Sequence, residues 1–153
     1  MQIVLNTELN SPALVSLLQQ HLDDMYRTSP PESVHALDLT KLRLPDIKFW
    51  CVWQDDELLG CGALKIHDSQ LAEIKSMRTA SRHLRKGVAH RLLAHLIAQA
   101  KALGLTQLCL ETGSQDFFKP AIALYQNHGF EFCPPFADYK EDPNSRFMRL
   151  TLG

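Results

Sequence analysis

The sequence lacks an excess of charge of either sign. Its 153 residues include 16 lysines and arginines against 17 aspartates and glutamates, which gives a formal charge of −1 at pH 7. Such a balance creates no overall field that would attract nucleic acid or an anionic membrane surface. We therefore expect neither nucleic acid nor a membrane among its partners, although the composition leaves room for local basic patches.

Long apolar runs are missing as well. No run approaches the roughly 18 residues that a membrane-spanning helix needs. The opening residues 1–6 do not show the basic segment and apolar core of a secretory leader. These absences favour a cytoplasmic protein. Because 153 residues suffice for one domain with its own core, we expect a single domain over residues 1–153.

Cysteine is scarce, and its spacing is unlike that of a metal site. The four cysteines contain no Cys-x-x-Cys pair, and no two of the seven histidines show the i, i+4 spacing of two ligands on one helix face. We therefore expect no metal, and we interpret the cysteines as buried strand residues. The sequence also lacks the Gly-Lys-Ser/Thr ending of a P-loop and the Gly-x-Ser-x-Gly of serine hydrolases.

Hydrophobic periodicity predicts strands and helices in alternation. Three acidic residues at 55–57 separate two apolar segments, which predicts an antiparallel hairpin. The overall order implies an α/β protein with a mixed sheet and helices on both faces. The predicted strands are 2–5, 47–53, 58–66, 71–77, 106–111, 130–133 and 146–152, and the predicted helices are 12–25, 32–44 (weaker), 88–103 and 118–128.

One basic, glycine-containing turn, residues 84–90, opens directly into the longest amphipathic pattern of the chain. The first N–H groups of a helix have no intrahelical partner and lie at the positive end of its dipole, so they can bind a phosphate. Gly87 would let such an anion approach the backbone closely. A solvated basic helix start fits the same seven residues, so the rest of the chain has to decide.

Three segments together decide, because in this order and spacing they resemble the GCN5-related N-acetyltransferase (GNAT) superfamily. They are Leu-Ala-Glu-Ile-Lys-Ser-Met at 71–77, Leu-Arg-Lys-Gly-Val-Ala at 84–89 and Ala-Ile-Ala-Leu-Tyr-Gln-Asn-His-Gly-Phe at 121–130. The resemblance is to small bacterial acetyltransferases in particular and is best between residues 50 and about 139. It implies a mixed, mostly antiparallel sheet of six or seven strands, in which the strand at 71–77 splays from its neighbour. It also implies an acyl-CoA-dependent N-acetyltransferase that moves an acetyl group from acetyl-CoA to an amine.

The resemblance also implies a coenzyme A site. The family's turn has the form Gln/Arg-x-x-Gly-x-Gly/Ala, and Gly87 and Ala89 match its last two fixed positions. Leu84 stands where Gln or Arg is usual, and Arg85 where glycine is often found. Backbone N–H groups and nearby cations would then bind the pyrophosphate. The residues implied for cofactor binding are Met77, Arg78, Thr79, Arg85, Lys86, Gly87, Val88, Ala89, His90, Thr112 and Asn127.

Two residues match the family's catalytic positions. An aliphatic amine is mostly protonated at neutral pH and needs a base before it attacks a thioester. Glu73 matches a catalytic glutamate of several members and is the candidate base, though it also fits an exposed carboxylate of an alternating strand. Tyr125 matches the general acid that protonates the leaving thiolate after the tetrahedral intermediate collapses, though a tyrosine at this spacing could simply pack its ring.

The acceptor is poorly encoded. We expect a small-molecule or amino-acid-like amine as the acceptor. A protein lysine or N-terminus remains an alternative acceptor, and a non-catalytic acyl-CoA sensor remains an alternative function. A homodimer is also possible. In this fold the acceptor binds between the N-terminal helices and the last strands, where acidic groups would suit a cationic amine. The candidates there are Asp23, Asp24, Tyr26, His35, Asp38 and residues 136–139.

Overall fold

A seven-stranded mixed sheet forms the centre of the molecule. The computed structural model describes residues 1–35 and 38–153. Its strands are β1 (Gln2–Leu5), β2 (Ile47–Gln54), β3 (Glu57–Ile66), β4 (Leu71–Thr79), β5 (Gln107–Gly113), β6 (Glu131–Phe132) and β7 (Ser145–Thr151), and its α-helices are α1 (Pro12–Thr28), α2 (Leu39–Leu42), α3 (Val88–Ala102) and α4 (Lys119–Asn127). Short 3-10 turns span Pro31–Ser33, Ser81–His83 and Asp116–Phe118.

The strands lie in the order β1-β2-β3-β4-β5-β7-β6. Only the β4–β5 pair is parallel among the described strands; the other neighbours are antiparallel. The predicted mixed, mostly antiparallel sheet is therefore confirmed, as is the hairpin between β2 and β3. No helix in the described part of the chain combines the length and the apolar character that crossing a membrane requires.

The predicted elements differ from the observed ones mainly between α1 and β2. The predicted helix at 32–44 is wrong over its described part, which holds only the Pro31–Ser33 turn and the four-residue helix α2. Residues 36 and 37 of that prediction lie outside the described residues. Val34 is extended, with a ψ of 117°, and ends the first turn. The Asp38 side chain then accepts from Lys41 N–H and starts a separate helix at Leu39.

Alternation along β2 explains why helices cover both faces of the sheet. Trp50 and Val52 point into a core with α3 and α4, whereas Phe49 and Cys51 point into a second core with α1 and α2. Successive strand residues face opposite sides, so a strand that is apolar throughout has to be covered twice. Cys51 and Cys61 lie in the second core, and Cys109 is also buried, which confirms the interpretation for these three cysteines. Cys133 is only half-buried.

The parallel pair β4–β5 separates part of the way along its length. Pairing runs from Leu71 opposite Gln107 to Ile74 opposite Leu110 and then stops, although β4 continues to Thr79 and β5 to Gly113. The separation confirms the splayed strands that the family resemblance implies. It leaves an opening in the sheet whose walls are backbone without a strand partner on that side.

A bulge in β4 lies at this opening. The register with β3 shifts between Cys61 and Ala63, so that Ser76 and Met77 both face one residue, Gly62. Ser76 has a φ of +53°, an unusual backbone conformation for a residue with a side chain. Bulges of this kind redirect the strand and release backbone groups from the ladder.

A glycine in β3 brings the start of α3 next to this bulge. A Cβ on Gly60 would lie 2.8 Å from the carbonyl oxygen of Arg78 and 3.1 Å from Cγ1 of Val88, the first residue of α3. Only glycine therefore fits between the strand and the helix at this distance. The first turn of α3, the bulge and the gap between β4 and β5 consequently form one continuous region.

Candidate active site

A cavity of about 750 Å³ occupies the opening between β4 and β5. Its walls come from α1, the bulged half of β4, the turn before α3, the end of β5 and the start of α4. The cavity joins the N-terminus of α3 to the gap in the sheet. Its volume and its continuity suit one extended ligand that meets a second, smaller one.

One end of the cavity is the uncapped N-terminus of α3. Gly87 is the N-cap residue, with a φ of +81°, and the described chain provides no side-chain cap. The first intrahelical bond of this turn is donated by Arg91 N–H to the Gly87 carbonyl at 3.0 Å, so the N–H groups of Val88, Ala89 and His90 lack an acceptor within the helix. A Cβ added at Gly87 would have no protein atom within 4 Å. This end is therefore open to an anion.

Three residues of this turn, Leu84, Arg85 and His90, decide which side chains can contribute to anion binding. Arg85 has a φ of +64°, which explains why the family motif favours glycine at this position. Leu84 is 58% exposed and offers no hydrogen bond where Gln or Arg is usual. His90 Nδ1 lies 2.8 Å from His128 Nε2. An anion bound here would therefore depend mainly on backbone N–H groups and on the charge of Arg85.

Most of the residues implied for cofactor binding line this cavity. Lys86 does not, since its Nζ lies 3.2 Å from His83 Nδ1 and its side chain borders a separate hollow of about 270 Å³. Asn127 is exposed at the end of α4 and does not line the cavity either. The cavity-lining members of the set are Met77, Arg78, Thr79, Arg85, Gly87, Val88, Ala89, His90 and Thr112.

Tyr125 is buried in the cavity wall. Its ring packs edge-on against Phe130, with centroids 5.7 Å apart, and its hydroxyl lies 3.9 Å from the sulfur of Met77 in the bulge. Burial raises the pKa of Tyr125 to about 12. The hydroxyl therefore keeps its proton at neutral pH and is available as a donor.

Glu73 is 2% exposed and does not line the cavity. His67 Nε2 lies 2.9 Å from Oε1, and the Tyr139 hydroxyl donates to Oε2 at 2.6 Å. Burial alone would raise the pKa of Glu73, but the His67 hydrogen bond, the Lys75 charge and the Tyr139 hydrogen bond together hold it below its ordinary value. The alternative interpretation of Glu73 as an exposed carboxylate is thus wrong, and the carboxylate is enclosed by its own partners.

Lys75 belongs to the same buried group. Its ammonium donates to the His35 carbonyl and to the Tyr139 hydroxyl, each at 2.9 Å, and lies 3.3 Å from Oε2 of Glu73. Three partners account for the three N–H bonds of a lysine ammonium. The Lys75 charge is therefore neutralised by Glu73 and fixed in place.

Glu111 is a functional candidate to which sequence reasoning gave no catalytic role. It pairs with Phe147 in the β5–β7 ladder and lines the cavity. Burial raises the pKa of Glu111 to about 7, with a smaller opposing effect from Ser145 and from the charge of Lys75. The sequence does contain a signal for this position. Glu111 directly follows the apolar run Leu108–Leu110, so its carboxylate is expected at the edge of the core.

The predicted acceptor residues divide into two groups. Asp24 and His35 line the cavity, and Tyr139 lies behind its wall against Glu73 and Lys75. Asp38 instead caps α2 by accepting from Lys41 N–H at 2.9 Å. The members of the set that do not line the cavity are Asp23, Tyr26, Asp38, Phe136, Ala137, Asp138 and Tyr139.

The Asp24 carboxylate is held by two arginines. Arg78 Nη1 lies 2.6 Å from Oδ2, and Arg27 binds Oδ1 from the adjacent turn of α1. Although burial raises it, the pKa of Asp24 is held below its ordinary value by the Arg78 and Arg27 partners. Within the described ranges, no group of three or more His, Cys, Asp or Glu side chains is arranged to hold a metal ion.

The chain is similar to known proteins along most of its length. The model of the Acetyltransferase (GNAT) family matches residues 14–130. YsnE of Bacillus subtilis strain 168, named as an uncharacterised N-acetyltransferase, is 56% identical over 145 residues, which cover 95% of this chain and 96% of YsnE.

Solved structures agree on the fold. A Klebsiella pneumoniae protein named as a candidate acyl-CoA N-acyltransferase superposes with a TM-score of 0.82 at 28% identity, covering 99% of this chain and 97% of its own. A Bacillus subtilis acetyltransferase solved in complex with CoA gives a TM-score of 0.69 at 22% identity, with 99% and 98% covered. Because the family model spans more than half of the sequence and a relative shares more than half of its residues, this chain belongs to the Acetyltransferase (GNAT) family.

Proposed function

We propose that this N-acetyltransferase takes its acetyl group from acetyl-CoA and passes it to a small-molecule amine. The observation that carries the proposal is one cavity that joins an uncapped helix N-terminus to an ionisable carboxyl group and a protonated tyrosine. A diphosphate needs the first of these features, and acyl transfer to an amine needs the other two.

The cavity suits coenzyme A along its length. The N–H groups at the start of α3 would bind the diphosphate, with Gly87 leaving room for its oxygens. Backbone of β5 beyond Leu110 has no β4 partner, so a pantetheine arm could pair there as an added strand would, beside Thr112. The CoA complex of the Bacillus subtilis neighbour supports this class of cosubstrate.

We assign the removal of the amine proton to Glu111. A base that works near neutral pH should have a pKa close to 7, and the Glu111 carboxyl meets this condition on the cavity wall. The ionised carboxylate accepts a proton from the ammonium, and the nitrogen then attacks the thioester carbonyl carbon. Glu73, the base that the family resemblance implies, is the alternative; it would have to act through water or another group because its own partners enclose it.

Two further groups complete the transfer. As the carbonyl oxygen gains charge, a backbone N–H group of the bulged segment Met77, Arg78 and Thr79 that is not bonded to β3 would donate to it, since this segment lines the cavity. Tyr125 would then give its proton to the departing sulfur as the carbon–sulfur bond breaks. Because the thiol of coenzyme A has a pKa near 8.5, like that of cysteine, this donor is expected to help only modestly.

A thiol-release assay tests the proposal. The purified protein is incubated with acetyl-CoA and each member of a panel of amines, and free coenzyme A is measured with a thiol-reactive dye. We expect amine-dependent release above the rate of acetyl-CoA alone, and loss of this release in Glu111→Gln. Saturable binding of acetyl-CoA without release for any amine would instead support a non-catalytic acyl-CoA sensor.

A further inference from the structure

We propose that the acceptor is a primary amine with an apolar body and no carboxylate on the carbon next to its nitrogen. This inference rests on the proposed function and names the substrate class of the same site. It follows from the partners of each charged group on the part of the cavity wall formed by α1, residues 33–35, β4, β5 and the Asp116–Phe118 turn, which we call the acceptor wall.

The first cation of the acceptor wall is already neutralised. Lys75 is 8% exposed and is held by Glu73, Tyr139 and the His35 carbonyl at distances of 2.9 to 3.3 Å. A substrate carboxylate could bind this ammonium only by displacing one of these partners. It would also come close to Glu73, whose negative charge repels it.

The second cation is neutralised in the same way. Arg78 Nη1 lies 2.6 Å from Asp24, whose other oxygen binds the exposed Arg27 at the surface of α1. A carboxylate that approached Arg78 would therefore approach Asp24 as well. Arg78 Nε has no hydrogen-bond partner in the described chain, but it is fully buried and not accessible to a ligand. The Asp24 carboxylate already balances the charge of the guanidinium, and the N–H bonds of Lys75 are all in use.

The histidines of the acceptor wall add no positive charge. Burial, helped by the charge of Arg78, lowers the pKa of His21 to about 4. Burial and the Lys75 charge also lower the pKa of His35. Both rings are therefore neutral at physiological pH.

Glu111 carries the one charge of the described acceptor wall that the preceding pairs do not balance. Within the described chain, it is the carboxylate of the acceptor wall that has no ion-pair partner. An ammonium beside it gains a counter-ion, whereas a carboxylate beside it meets a like charge in a partly dehydrated cavity. The remaining wall offers Met25, Val34 and Phe117, which suit an apolar substrate body.

Matched pairs of ligands test this inference. At pH 8, calorimetry on the protein saturated with CoA would compare 2-phenylethylamine with phenylalanine, and 3-methylbutylamine with leucine. The members of each pair differ only by the carboxylate. We expect each amine to bind at least about tenfold more tightly than its amino acid, which corresponds to about 1.4 kcal/mol.

Variants identify the residue responsible for the preference. In Glu111→Gln the preference should shrink towards unity, because the like-charge repulsion is gone. Glu131→Gln removes an exposed carboxylate on β6, outside the cavity, and should keep the full preference. Retention of the preference in Glu111→Gln would overturn the charge argument.

The outcomes separate this inference from the proposed function. Equal or tighter binding of the amino acids, or binding of no amine in the panel, overturns the inference. Preferential binding of the amines together with thiol release from acetyl-CoA supports both. Preferential binding without any thiol release supports the charge selectivity of the cavity and overturns acetyl transfer.

Discussion

Replacing Glu111 by glutamine should make the protein less active and, above pH 7, more stable. The Glu111 pKa is raised from an ordinary value of 4.5 to about 7, chiefly by burial. The fold therefore disfavours the ionised carboxylate that the proposed chemistry requires. Glutamine has nearly the same shape and cannot ionise. The variant therefore removes the proposed base and also the free-energy cost of burying an ionised carboxylate.

The magnitude follows from the two pKa values. The unfolded chain releases the Glu111 proton near pH 4.5 and the folded protein near pH 7, so the folded state holds more protons between these limits. The contribution of this group to stability consequently falls as the pH rises through that window and stays lost above it. At about 1.4 kcal/mol per pH unit, the loss amounts to at most about 3 kcal/mol.

The assay is denaturant unfolding of wild type and Glu111→Gln at pH 4.5 and at pH 8. Other groups titrate in both proteins, so the informative quantity is the change, between the two pH values, in the difference of their unfolding free energies. We expect the variant to gain up to about 3 kcal/mol on wild type at pH 8. Its kcat/KM should be lower by about 10² to 10⁴ at that pH. An unfolding difference that does not change with pH would refute a raised Glu111 pKa.

Three further predictions concern the other parts of the site. Gly87→Ala and Gly104→Ala place alanine at φ values of +81° and +80° with no atom near the new Cβ, so each should lose about 1 kcal/mol of stability. Calorimetry should show weaker acetyl-CoA binding only in Gly87→Ala; equal affinity losses would contradict the anion site. Tyr125→Phe should lower kcat by up to about 10² with unchanged acetyl-CoA affinity, and undiminished turnover would remove Tyr125 from the mechanism. Glu73→Gln leaves a buried lysine without its counter-ion and should cost about 3–5 kcal/mol on denaturant unfolding. The kcat/KM profile of Glu73→Gln should still show an ionisation near pH 7. If that ionisation is lost in the variant, Glu73 is the base.

The sequence predicted the fold because its signals are local. The apolar pattern on both faces of β2 requires cover on each side of the sheet, and Gly87 before a long amphipathic pattern marks an open helix start. The separation of β4 from β5 has no comparable local signal, since it depends on where two distant strands stop pairing. It was predicted only through resemblance to a family.

The catalytic assignments were harder to predict because they depend on long-range contacts. Glu73 matched the family's position, but the partners that enclose it include Tyr139, 66 residues further along the chain. Glu111 was not predicted as a base, because the burial that raises its pKa depends on the packing of the whole cavity wall. Periodicity places a side chain on a face of the sheet, but not among particular charged neighbours.

The most direct test of the account is a crystal structure of this protein with coenzyme A bound. We expect the diphosphate oxygens within hydrogen-bond distance of the backbone N–H groups of Val88, Ala89 and His90, with the thiol end in the gap between β4 and β5 beside Glu111 and Tyr125. A diphosphate bound elsewhere, or a thiol end outside that gap, would contradict the account.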